Sequence, residues 1–309
     1  MDYPSFPRSL TEFHKRFADE QACFEYVVQS RWPNGLVCPK CKGRDFWPRR
    51  RRFKHQCQKC DFEVSPTAGT ILQDAHLPIH DWFRTACFMT CCPGISANKL
   101  RQQLGCSFRA ALRVLNCLRY AMGTEPRSKL GGTVDAGYTV LMQAAGQSSR
   151  STPTDRRTVV LGVVALINVA EATGPREEST HEFIHTNVDP TAYKSGRLRL
   201  AIAEGTRPFG ESTQEFIHNN VDPTAFVYST FSLDKLPNPS RYTVLTPPYI
   251  KKAFIELKGW LNGTHHGVDP KFVLQYLNEF AFRFNRGQTH MESCQTLLKL
   301  AINAPLRAG

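Results

Sequence analysis

Two Cys-x-x-Cys pairs, Cys38/Cys41 and Cys57/Cys60, constrain this chain more than any other feature. Each pair sets two sulfurs on one tight turn, and a gap of this size lets both turns close on a single tetrahedral ion. Zn2+ suits four thiolates, so residues 31–70 are expected to form a small zinc ribbon. Between the pairs runs Arg49-Arg50-Arg51-Arg52. The chain has 11 cysteines, an odd number, and the seven outside the pairs lie scattered among apolar neighbours, as buried thiols do. A disulfide framework is therefore not expected, and a reducing compartment is.

A chain of 309 residues with 41% hydrophobic content can bury a large core and divides naturally into more than one unit. The amino-terminal "MDYPSFPRSLTEFHKRF" lacks the apolar centre of a secretory signal, and the longest apolar stretch, "VVLGVVALINVA", is too short for a membrane span. The expected location is cytoplasmic, with no membrane partner. Net charge is +12, and before residue 126 there are 19 basic against 11 acidic residues. Positive charge gathered around a zinc module points to a polyanion, with double-stranded DNA the leading candidate. A basic face that serves only solubility is the alternative.

After the ribbon, "GISANKLRQQLGCSFRAALRVLNCLRYAM" predicts a helix over 96–104, a turn at Gly105-Cys106-Ser107, and a longer helix over 108–122. Ser96 and Ser107 occupy N-cap positions and Gly105 stands where the first helix must stop. This is the pattern of a helix-turn-helix. Leu112, Leu115 and Leu118 fall on rows that pack against the first helix, which leaves Arg109, Arg113, Asn116 and Arg119 to project toward a DNA groove. A helical hairpin with a charged outer face has the same pattern.

These stretches, together with "WPNGLVCPKC", "QCQKCDFEVSPTAGTIL", "GGTVDAGY", "LKGWLNGTHHGV" and "LQYLNEFAFRFNRG", resemble bacterial insertion-sequence transposases. That family joins a zinc ribbon and a helix-turn-helix to a ribonuclease-H-like nuclease domain. The resemblance implies a multidomain α+β chain: a helical segment over 1–30, the ribbon over 31–70, a DNA-binding unit over 78–124, and an α/β mixed sheet with flanking helices over 130–300. It further implies binding to the inverted repeats of a mobile element and assembly on paired DNA ends. A homodimer would follow, although no heptad stripe marks one. Nucleoid association is the corresponding location.

Strand transfer on such a scaffold needs two Mg2+ ions about 4 Å apart, held by three carboxylates. Asp135 in "TVDAGY" stands at the family's first acid. At the second, "FVYSTF" has Thr230, and at the third, seven residues before the basic Lys258, the chain has Lys251. Asp234, four residues beyond Thr230, and Glu256 are the nearest substitutes; Glu256 is five residues from Lys251 and so about 140° around the helix. The candidate catalytic set is thus Asp135, Asp234, Glu256 and Lys258, with a Mg2+ site that looks incomplete. Two functions stay open: an active transposase, and a transposase-derived DNA-binding protein without catalysis.

Coarse patterning predicts a meander of three strands in "GGTVDAGYTVLM", "RRTVVLGVVAL" and "GRLRLAIA". A short helix in "ESTQEFIHNNV" should then cross over to a fourth strand, 224–230, parallel to the first. Val273, Leu277, Phe280 and Phe284 fall at helical spacing as a core stripe. "ESTHEFIHTNVDPTAY" from 178 recurs as "ESTQEFIHNNVDPTAF" from 211, so the first copy reads as a duplicated insertion near 173–193. Its His181 and His185 are expected to be exposed polar residues, and "THHG" at 264–267 a turn or a DNA-contact loop, rather than metal ligands.

Overall fold

Short capped helices open the chain. Ser9 accepts the Glu12 amide at the start of α1 (Leu10–Arg16), and Asp19 accepts that of Ala22 at the start of α2 (Glu20–Arg31). The computed structural model describes residues 5–48, 54–142, 157–168, 193–203, 211–229, 242–244, 248–265, 268–287 and 289–306. Among these it is a mixed α+β chain with nine α-helices and two sheets. Two compact units emerge: Met1–Glu125 with Arg286–Gly309, and Pro126–Asn285.

In the first unit, β1 (Phe46–Pro48), β2 (His55–Cys57) and β3 (Glu63–Val64) pair antiparallel in that order. Such a small sheet has almost no core of its own. The unit's core comes instead from helices: Phe13, Phe17, Tyr26 and Phe83 pack ring against ring, with Phe17 and Phe83 centroids 5.0 Å apart. Phe83 belongs to α3 (Ile79–Cys91), whose buried Trp82, Ala86 and Met89 form its inner face. Pro78 at the α3 N-cap offers no side-chain oxygen. Glu20 takes over that role, its two carboxylate oxygens accepting the amides of Ile79 and His80 at 2.8 Å each.

The two helices and the turn between them form as the capping signals predict. In α4 (Ala97–Leu104) the Ser96 hydroxyl accepts the Lys99 amide at 3.3 Å, and the helix stops at Gly105 with φ 66°. In α5 (Phe108–Gly123) Ser107 accepts the Ala110 amide at 3.2 Å. Leu100, Ala111, Val114, Leu115 and Leu118 close the interior. The final helix, α9 (His290–Asn303), packs on α3 and α5 and belongs to this unit, although its residues lie within the 130–300 segment expected for the sheet domain.

The second unit is built on a five-stranded sheet. Three long strands, β4 (Thr133–Met142), β5 (Arg157–Asn168) and β6 (Tyr193–Ile202), form the antiparallel meander, and α6 (Glu211–Asn220) crosses over to β7 (Phe226–Ser229), parallel to β4. β8 (Tyr242–Val244) completes the order β6-β5-β4-β7-β8. The repeat's second copy therefore supplies the crossover, and an Asx turn, Asp222 accepting from Thr224, leads into the strand. Residues 178–192 of the first copy, including His181 and His185, lie outside the described residues.

Both faces of this sheet are covered. Val134, Ala136, Leu161 and Val163 pack with Phe216 and Ile217 of α6. On the other face Val160, Val164 and Leu198 meet α7 (Pro248–Trp260) and α8 (Val273–Arg286), with Val273, Leu277 and Phe280 buried as the stripe predicts. Gly162 makes room for α7: a Cβ there would lie 2.8 Å from Ile250 Cδ1 and 2.9 Å from Phe254 Cζ. At the free edge of β6, the Asn285 side chain accepts from the Leu198 amide at 2.6 Å and donates to the Leu198 carbonyl at 3.1 Å. That pair of bonds copies what a further strand would make.

Candidate functional site

The ribbon thiols come together. Cys38 and Cys41 sit on one turn, where the Lys42 amide donates back to the Cys38 carbonyl at 2.9 Å; Cys57 and Cys60 sit on its counterpart, where Asp61 donates to Cys57 at 3.0 Å. Lys42 and Asp61, each directly after a second cysteine, adopt positive φ of 61° and 58°, so the two turns share one backbone form. Cys38 and Cys60 sulfurs are 3.6 Å apart, Cys41 and Cys57 sulfurs 3.4 Å, and all four lie within 4.8 Å of one another. Burial alone would raise the Cys38 thiol, but amides of Cys41 and Lys40 outweigh it and lower it to about 7.

Sulfurs bound tetrahedrally at about 2.3 Å from zinc stand roughly 3.8 Å apart, so this donor set fits Zn2+ with little movement. The four thiolates would hold a structural ion that ties two turns and three short strands together. Gly43 belongs to the same fit, since a Cβ there would meet Cys41 and Cys57 sulfurs at 3.3 and 3.4 Å. Among the described residues this is the one cluster of three or more potential metal ligands.

Asp135 is placed very differently. It is the third residue of β4, with no exposed surface, opposite Val164 of β5 and Tyr228 of β7. Its Oδ2 accepts the Ile250 amide at 2.9 Å, and the Tyr249 amide also faces the carboxylate. These are first-turn amides of α7, which have no intrahelical acceptor, so Asp135 caps that helix from the adjacent sheet. Burial pushes its carboxyl up to about 7, while the Ile250 and Tyr249 amides pull it back only in part. Oδ1 has no hydrogen-bond partner among the described residues.

Glu256 does not join it. Glu256 is six residues beyond Ile250, which puts it about 9 Å further along the axis, and it faces solvent. Lys251 and Lys258, two turns apart on one face of α7, are both exposed. Asp234 and Thr230 lie outside the described residues. The described residues therefore do not fit a two-Mg2+ centre, and no chemical step is derived through one.

Arg109 and Arg113 are exposed along α5, and Asn116 follows half-buried on the same row. Arg119 differs from expectation: it is 1% exposed and its Nη1 donates to Asn116 at 3.2 Å. Buried Ala111, Leu115, Leu118 and Met122 show why, since Arg119 falls eight residues after Ala111 on the inward stripe rather than on the outer face. Arg49 to Arg52 lie outside the described residues.

Residues 18–62 match the model of a transposase zinc-ribbon domain, and residues 244–285 match that of an ISXO2-like transposase domain. Both stretches are similar to transposase domains. A protein described as uncharacterized, in transposable element ISH50 of Halobacterium salinarum, is 24% identical over 124 residues, 39% of this chain. The chain spans 42% of that relative's length. No solved structure matches. The transposase-like match at the carboxy-terminal side covers α7 and most of α8, where Trp260, His265 and Tyr276 form a tight ring cluster with centroids 4.7 and 4.9 Å apart. His265 of the "THHG" segment is thus a packing residue at a π-helical turn, Leu261–His265.

Sequence reasoning missed Glu20, Asn285 and the capping role of Asp135. Pro78 at a helix start was a usable signal for the first, because a proline N-cap leaves the next amides in need of an acceptor. For the other two the partners are 87 and 115 residues away, and no local pattern marks them.

Proposed function

We propose that this chain is a transposase-derived protein that binds mobile-element ends and no longer carries out strand transfer. The sheet order, with its parallel β4-β7 pair and helical crossover, supports a ribonuclease-H-like second unit. The ribbon and the helix-turn-helix, with exposed Arg109 and Arg113, support double-stranded DNA as partner. One observation carries the loss of chemistry: the Asp135 carboxylate is sealed from solvent and bonded to the start of α7, while Lys251 stands in the family's third acidic position. A lysine there repels the divalent ions that a carboxylate would attract.

The test uses zinc-loaded full-length protein and a duplex carrying the inverted repeat that flanks its own gene. Retarded mobility with that duplex, lost on Arg109→Ala/Arg113→Ala and steeply salt-dependent, is expected. No nicked or joined product should form with Mg2+ or Mn2+. Turnover abolished by Asp135→Asn would overturn the reading.

A further inference from the structure

Trp47 is the most exposed of the chain's four tryptophans. It lies in β1 with 61% of its surface accessible, whereas Trp82 is 2% exposed and Trp32 and Trp260 are half-buried beneath Arg31 and Arg283. An indole open on one face is available to stack on a flat ligand, since its polar edge and apolar face can both be used. Its surroundings narrow the class. Strand register puts Trp47 opposite Gln56, and Gln56 opposite Glu63, so the face they share is polar except for the one ring. A docking face for another protein would surround such an anchor with further apolar side chains.

Charge narrows it further. Residues 35–65 hold nine lysines and arginines against three acids, and the arginine run begins two positions after Trp47. An open indole within so cationic a stretch of sequence suits a polyanion that also offers flat rings, namely a nucleic acid. Inside a duplex each base face is covered by its neighbours, so away from the ends an indole can stack only where a base is unpaired. The platform is stiff: Phe46 pairs with the zinc-site Cys57, and the Gln58 amide donates to the Asp45 carbonyl at 2.9 Å.

We propose that Trp47 is a stacking site for an unpaired DNA base, as at a frayed or melted duplex end. The proposal rests on the reading that the amino-terminal unit binds DNA, and it adds a mode of contact that the helix-turn-helix cannot provide. The probes are a short oligothymidylate and the same strand annealed to its complement, each titrated into zinc-loaded full-length protein. Single strand should quench tryptophan emission, and Trp47→Phe should remove that quench. Trp47→Ala should weaken oligothymidylate binding about 10-fold and duplex binding less than about 2-fold, with Trp47→Phe staying within about 3-fold of wild type on both.

Equal weakening on single strand and duplex, or an unquenched wild type, would overturn the proposal. Zinc content is measured for each variant; if Trp47→Ala loses its metal, the wild-type quench and its absence in Trp47→Phe decide the matter. Failure of duplex binding with the quench intact would sink the function proposed above and leave the stacking site standing. The reverse outcome would do the opposite.

Discussion

The ribbon and the Asp135 pocket each gather groups that ionise, yet only one of them forms a cluster. At the ribbon, two turns of the same backbone form bring four sulfurs within 4.8 Å, and nearby amides favour the Cys38 thiolate. At β4, Asp135 belongs to no cluster of three or more potential metal ligands among the described residues, and the amides that face it belong to a helix it caps. The contrast teaches that an ionisable residue in a family position does not make a metal site by itself. Ligands must converge, and their free lone pairs must face the ion rather than the protein.

The sharpest way to break this comparison is to remove one ribbon ligand. Cys57→Ser, or a strong chelator, should release the zinc and unfold residues 38–64, because binding free energies of about 10 kcal/mol or more for such ions are also folding free energies. Zinc content by elemental analysis and amide exchange across the ribbon would read it. Retained protection without zinc would show that the strands hold themselves together.

Asp135→Ala should destabilise the second unit by about 2–3 kcal/mol in urea unfolding, because it leaves buried first-turn amides without an acceptor. Asp135→Asn should cost less and should change the pH dependence. With its carboxyl raised from 3.8 to about 7 in the fold, the native state holds the proton more tightly than the unfolded chain. Wild-type stability from this group is therefore greatest below about pH 4 and is lost as pH rises to about 7. The Asn variant should show a flatter slope across that window.

Gly162→Val should cost about 1–3 kcal/mol by driving Ile250 and Phe254 off the sheet, and the same shift should expose Asp135. The smallest effect is expected from Lys251→Glu, an exposed change that should alter stability by less than about 0.5 kcal/mol. It restores the family's third acid, yet calorimetry should still detect no tight Mg2+ uptake while Asp135 stays sealed. Two ions bound by that variant would show that the pocket opens readily.

What the sequence disclosed follows from the range of each signal. Caps at Ser96 and Ser107, the Gly105 stop, the cysteine pairs and the strand alternation are local, and the structure places them where the pattern predicts. Arg119 misled because charge overrode periodicity: its place on the apolar row of α5 was legible, but an arginine is rarely buried. Residue type could place Asp135 on β4 but could not reveal that Ile250, far along the chain, would bring a helix end to it.

The amide of Asn285 gives the outer rim of the larger sheet a stopper one residue wide. A change there to a side chain without an acceptor would take from the Leu198 N–H the partner Asn285 supplies, while the Leu198 carbonyl would keep the Arg199 guanidinium at 3.2 Å. An open N–H on a sheet rim is a point at which another strand can pair, so Asn285, far from the zinc thiols in sequence, guards this rim against unwanted pairing.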